Sequence, residues 1–194
     1  ALLCRNMELN QVDGIAYPIA LSDESRLSEL YLVTREVGGS CNTFGEAVGF
    51  DLKPRNGIKQ GAVGFSLDSI LNHLPKPDHI KIDVDGFEHK VIKGMKGLLE
   101  SGVKSLLIEV NTNLPEHQEM LEFLGELGYK YDPSQLEKSL RKEGNFKGCG
   151  ECVFTKPNAV EDYVLEKIRN ATIAPVPYPH LYIEDVFPKD FFDQ

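Results

Sequence analysis

The sequence predicts a mixed α/β domain built on a doubly wound sheet. Two observations carry that prediction. Apolar, branched segments alternate with amphipathic ones in the order strand, helix, strand, helix, strand. The stretch Ile80-Lys81-Ile82-Asp83-Val84-Asp85-Gly86-Phe87-Glu88 runs from an apolar strand through an acidic turn directly into a helix. Open α/β sheets bind ligands beyond the carboxyl ends of their strands, so carboxylates at such an end point to chemistry.

The elements follow in order. Leu2, Leu3, Met7 and Leu9 are the apolar positions of an opening helix. The chain starts without a methionine and as though in mid-helix, so it is expected to be part of a longer protein. Residues 15–21 read as a strand with Pro18 at an edge or bulge, and residues 22–25 as its polar stop. Residues 27–34 alternate apolar and polar and predict a more exposed strand. Residues 38–61, rich in Gly, Asn and Pro, predict a long loop. Residues 65–71 lead into a short helix that Pro75 and Pro77 end.

A strand over 79–84 comes next. The helix predicted over 87–100 sets Phe87, Val91, Ile92, Met95, Leu98 and Leu99 on one face, and Gly102 terminates it. Residues 105–110 form a near-continuous apolar run, the pattern of a buried parallel strand. Pro115 opens another helix, with Met120, Leu121, Leu124 and Leu127 inward and Gly128 as its stop. Residues 129–131 and 152–155 predict two last strands around a polar stretch. A charged helix over 160–170 and a stiff proline-rich linker follow. Three regions result: 1–156, 157–176 and 177–194.

Composition narrows the function. The hydrophobic fraction of 41% supports an ordinary buried core. A net charge of −9 disfavours nucleic acid or an anionic membrane as the main partner, since both attract a positive surface. The apolar runs are too short to span a bilayer, and no signal peptide is visible. Cysteines at 4, 41, 149 and 152 are sparse and irregular, so reduced thiols in a cytoplasmic setting are expected.

Three blocks together resemble the FkbM family of S-adenosylmethionine-dependent methyltransferases. They are Arg5-Asn6-Met7-Glu8-Leu9-Asn10, Pro18-Ile19-Ala20-Leu21-Ser22-Asp23, and residues 80–88 continued by Val91-Ile92-Lys93-Gly94. Leu107-Ile108-Glu109-Val110-Asn111 sits where the family has its next strand. Asp85 stands where the family usually has Glu. The resemblance covers roughly residues 1 to 156. It implies a Rossmann-like class I methyltransferase sheet, truncated on its N-terminal side, with a C-terminal linker and extension. It also implies S-adenosyl-L-methionine as cofactor and O-methylation of a hydroxyl on a sugar or natural-product acceptor. The glycine-rich cofactor loop would lie upstream of Ala1, so this chain alone is expected to be inactive. By the same resemblance, Ala20, Leu21 and Ser22 contact the cofactor adenine, and Asp83 lies nearest the transferred methyl.

The tail Pro177-Tyr178-Pro179-His180-Leu181-Tyr182-Ile183-Glu184-Asp185 resembles the opening of 2-oxoglutarate- and iron-dependent oxygenases. The metal ligands of such a domain would lie downstream, so His180 is not assigned as one. The rival reading of the whole chain is a non-catalytic docking or substrate-recognition module attached to such an oxygenase.

Methyl transfer to a hydroxyl needs alignment of nucleophile, methyl and sulfur, and a carboxylate in reach of the departing proton. Asp83 is the first candidate for that role, with Asp85 and Glu109 next. Glu88 and Asn111 are candidates for the acceptor. Clustered carboxylates also suit a divalent cation, but nothing in the sequence requires a metal. Asp85 to Glu88 equally has the form of a helix capping box. Gly38-Gly39-Ser40-Cys41-Asn42 reads as an anion nest, a lid or a plain flexible turn. Cys149 and Cys152 form a lone C-x-x-C without a second pair, expected in a hairpin turn. His73, His79, His89 and His117 lack ligand spacing and are expected at the surface or at strand edges.

Overall fold

A computed structural model describes residues 2–157, 159–171, 173–174 and 180–181. The chain divides into two compact units, Ala1–Thr155 and Lys156–Gln194.

The first unit opens with α1 (Leu2–Leu9), which buries none of its side chains. The strand expected over 15–21 shrinks to β1 (Ala20–Leu21). Pro18 has no amide to pair, and the Ile19 amide turns back to the Tyr17 carbonyl at 2.9 Å. The exposed strand is present as β2 (Arg26–Leu32). The long loop is interrupted by β3 (Thr43–Phe44), and β4 (Ile58–Phe65) begins inside it. Gly61 and Gly64 disguise β4 in the sequence. At Gly64 the Phe44 ring lies where a Cβ would be, so β3, two strands away, supplies the packing that the glycine lacks. These strands form one sheet in the order β1-β4-β2-β3, with β1 parallel to β4 and the other pairs antiparallel.

A short helix, α2 (Leu67–Ile70), and a 3₁₀ turn at Leu71–His73 lead to β5 (His79–Ile82). The helix expected over 87–100 is two helices, α3 (Glu88–Lys93) and α4 (Lys96–Glu100). Asp68 staples the break. Its amide donates to the Gly94 carbonyl at 3.0 Å, and its carboxylate accepts the Gly97 and Leu98 amides at 2.7 and 2.9 Å. Those amides start α4, where a carboxylate is favoured by both hydrogen bonding and the helix dipole.

Next come β6 (Ser105–Asn111), α5 (Pro115–Glu126), β7 (Lys130–Tyr131), α6 (Pro133–Ser139) and β8 (Cys149–Thr155). The second sheet has the order β5-β6-β8-β7; β5 and β6 are parallel and β8 is antiparallel to both its neighbours. Among the described residues, therefore, the expected single doubly wound sheet is two four-stranded mixed sheets. The second is covered on one face: Leu106, Ile108 and Val110 are buried, while Leu107 and Glu109 between them stay partly open. That face meets Ile92, Leu98, Leu99, Met120 and Leu124 from the helices in one apolar cluster.

Cys149 and Cys152 lie inside β8, not in a hairpin turn, and both are buried free thiols. A spacing of three in a strand sends them to opposite faces, so they cannot share a metal. His89 and His117 are also buried, against expectation, between α3 and α5.

The second unit contains α7 (Ala159–Asn170) and the antiparallel pair β9 (Ile173–Ala174) and β10 (His180–Leu181). The linker at 175–179 and the oxygenase-like phrase beyond Leu181 lie outside the described residues. No described helix is long and apolar enough to cross a membrane.

Candidate active site

The chain leaves β5 at Asp83 and turns through Val84, Asp85 and Gly86. Asp85 has φ +55° and Gly86 φ +103°. A Cβ on Gly86 would sit 2.7 Å from the Phe50 carbonyl oxygen, so the turn requires glycine for space as well as for conformation.

Glu88 holds this turn from below. It is fully buried. One oxygen accepts the Val84 amide at 2.8 Å and the other the Gly86 amide at 3.0 Å. His117 Nε2 lies 3.3 Å from the latter oxygen and 3.2 Å from the Gly86 carbonyl oxygen. His117 Nδ1 accepts the Asn111 amide at 3.0 Å, which places the ring proton on Nε2. One buried imidazole thus ties the end of β6 to the turn after β5. The capping box does not form: Glu88 accepts the amides on either side of Asp85 and not that of Asp85, and Asp85 does not cap α3, whose N-cap residue is Phe87.

Asp85 instead reaches across to the 38–42 loop, where Oδ2 accepts the Cys41 amide at 3.0 Å. Burial raises its carboxyl above the ordinary range, Asp83 and Glu88 add to this, and the Cys41 amide opposes it. Asp83 is half exposed and pairs with Lys81 at 3.4 Å. Lys81 also meets Glu151 at 2.9 Å, and these two partners raise its pKa. Glu109 receives Arg141 at 2.8 Å. Burial pushes Glu109 up, while Arg141 pulls it down. Asn111 is buried, and its Oδ1 accepts both the backbone amide and the side-chain amide of Asn113.

A cavity of about 1090 Å³ opens beside this turn. One wall is Ile19, Ala20, Leu21 and Ser22; the opposite wall runs through Ile80 to Asp85. Consecutive residues of a strand point to alternate faces. A cavity touching each of them therefore meets the edges of β1 and β5. Gly39 to Asn42 form a third wall, and Phe87, Val91 and Met95 add apolar surface. The fold thus brings Ala20, Leu21 and Ser22 together with Asp83 and Asp85. Glu88, Glu109 and Asn111 stand behind the turn, off the cavity wall. Asp83, Glu88 and Glu109 still place one carboxylate oxygen each within 4.8 Å of one another, although Glu88 already accepts two backbone amides and Glu109 accepts Arg141. A separate open groove of about 750 Å³ along β7 and α6 contains none of these residues.

Sequence reasoning missed His117, Lys81 and Arg141, and in the 38–42 stretch it missed the tie from Cys41 to Asp85. A signal existed for His117, which lies three residues before Met120 and seven before Leu124 on the apolar stripe of α5. Cys41 carried none, since its partner is 44 residues away.

The fold and cavity define a mixed α/β domain with an acid-lined site at the carboxyl end of a parallel-paired strand. Residues 4–131 match the family model described as the methyltransferase FkbM domain. The chain belongs to that family, and its class of activity is methyl transfer. Comparison with curated proteins and with solved structures gave no significant match.

Proposed function

We propose that this chain forms the acceptor side and the adenine side of an S-adenosylmethionine-dependent O-methyltransferase. The observation that supports this reading best is the single cavity shared by Ala20, Leu21 and Ser22 with Asp83 and Asp85.

The residues present suit the cofactor. An apolar strand edge at Ile19 to Leu21 fits a flat base, and the two carboxylates place negative charge where a sulfonium would sit. When bound, S-adenosylmethionine supplies an electrophilic methyl group. Asp83 would orient a small-molecule hydroxyl acceptor and take its proton as oxygen gains the methyl. Lys81, shared between Asp83 and Glu151, holds the Asp83 carboxylate in place. Phe87, Val91 and Met95 exclude water from that side of the cavity. The resemblance also implies a glycine-rich cofactor loop, which the described residues do not contain, so the cofactor is tested on this chain and on a form extended upstream.

Calorimetric titration of S-adenosylhomocysteine tests this, using the present chain and one carrying about 80 further upstream residues, roughly half a domain. Binding by the longer chain supports the reading, and Asp83→Asn should then abolish its turnover. Absence of binding by both overturns it.

A further inference from the structure

We infer that Asp85 is a positioning residue: its carboxylate fixes the Gly39–Asn42 loop as a wall of the cavity. This rests on the reading of that cavity as the methyl-transfer site and assigns Asp85 a task distinct from that of Asp83.

Asp85 and Cys41 are two of the four non-glycine residues with positive φ among those described, at +55° and +60°. Side chains disfavour that region, and such residues persist where surrounding interactions hold them. Here the two strained residues hold each other. The Cys41 amide donates to Asp85 Oδ2 at 3.0 Å across 44 positions of sequence. The acceptor is a carboxylate, which makes this kind of bond stronger than a neutral one.

The rest of the loop is anchored on its other side. Asn42 Oδ1 accepts the Val33 amide at 3.1 Å, and Asn42 Nδ2 donates to the Gly39 carbonyl at 3.1 Å. These bonds tie the loop to the end of β2 and to itself. The Asp85 bond ties it to the turn after β5, where Glu88 and His117 hold the backbone rigid. Gly39, Ser40, Cys41 and Asn42 all line the cavity. The loop therefore lines the cavity from a position set by Asn42 on one side and by Asp85 on the other. The Asp85 oxygen bonded to that amide is not free to accept a substrate proton, whereas Asp83 is half exposed and meets the exposed ammonium of Lys81 at 3.4 Å.

Two substitutions separate the acceptor role from the charge. Asp85→Gly keeps the positive φ and deletes the carboxylate. Asp85→Asn keeps an oxygen acceptor, and Asn tolerates the left-handed region at least as well as Asp. The readout is hydrogen exchange of the Cys41 amide by NMR in the present chain without ligand. The Gly97 and Leu98 amides, held by Asp68, serve as internal controls of folding.

Asp85→Gly should reduce Cys41 protection about tenfold or more, since the bond is removed outright. Asp85→Asn should keep it within about threefold, since the acceptor remains. Unchanged protection in Asp85→Gly, or equal loss in Asp85→Asn, overturns the inference. If Gly97 and Leu98 lose protection in Asp85→Gly, Asp85→Asn decides alone: retained protection supports the latch, and lost protection overturns it. In a longer, active form, Asp85→Gly should raise the acceptor KM more than it lowers kcat, the opposite split from Asp83→Asn. Failure of the methyltransferase reading would appear in the titration and leave the exchange result intact.

Discussion

The two sheets of residues 1–155 are stabilised in different ways. In the β5-β6-β8-β7 sheet, strands deliver side chains of near-zero exposure into a shared core: Leu106, Ile108, Cys152 and Phe154. In the β1-β4-β2-β3 sheet, the buried strand positions are Thr43 and Gly64, and Leu27 is 82% exposed. That sheet depends on backbone pairing along the whole of β2 and β4. Polar ties add to it, including the Thr43 hydroxyl to the Glu46 carbonyl at 2.8 Å. The cavity lies between the two, so it has one wall fixed by apolar burial and one fixed mainly by hydrogen bonds.

The largest expected effect tests the firm wall. Leu106→Ala should cost about 2–5 kcal/mol in denaturant unfolding, the usual range for a buried leucine. Leu27→Ala should stay within about 0.5 kcal/mol, as exposed substitutions do. Equal costs would break the comparison. The next effect concerns the turn that joins the walls. Gly86→Ala pushes a Cβ into the Phe50 carbonyl at a positive φ, and a loss of about 1–3 kcal/mol is expected. A thermal melt matching the parent would show that the turn relaxes freely.

His117→Ala should follow, at about 1–3 kcal/mol, because the Asn111 amide loses its buried acceptor. Amide exchange should then rise at Asn111. The smallest effect is electrostatic. Burial raises the Glu109 pKa above its unfolded value. The protonated form is therefore favoured by folding. That contribution is full below the unfolded pKa and is lost as pH rises through the raised folded pKa. Glu109→Gln should thus gain stability relative to the parent as pH rises above the ordinary carboxylate range. Urea midpoints measured at pH 4 and pH 7 check the sign.

The same division explains what the sequence revealed. The apolar run at 105–110 and the helical spacing around Val91 and Leu124 were legible because burial writes periodicity into a chain. The β4 strand was hidden because Lys59, Gln60, Gly61 and Gly64 carry no such pattern, and its packing comes from Phe44 on another strand. Pattern also misjudged the helix over 87–100, since its break is set by Asp68 from a separate element. Asp83 could be located at a strand end from pattern alone, whereas Glu109 lies inside β6. The links from Asp85 to Cys41 and from His117 to Asn111 and Gly86 are tertiary and left no local trace.

The placement of Cys149 and Cys152 within one strand also decides how the chain meets oxidants. Three residues of extended chain span about 10 Å, beyond the roughly 7 Å that a disulfide tolerates between Cα atoms. Burial pushes each thiol pKa to about 11. At neutral pH only about one in ten thousand of these sulfurs is then ionised, and the ionised form is the reactive one. To a peroxide or a disulfide reagent, the C-x-x-C of the sequence is a pair of separate and nearly inert sulfur atoms.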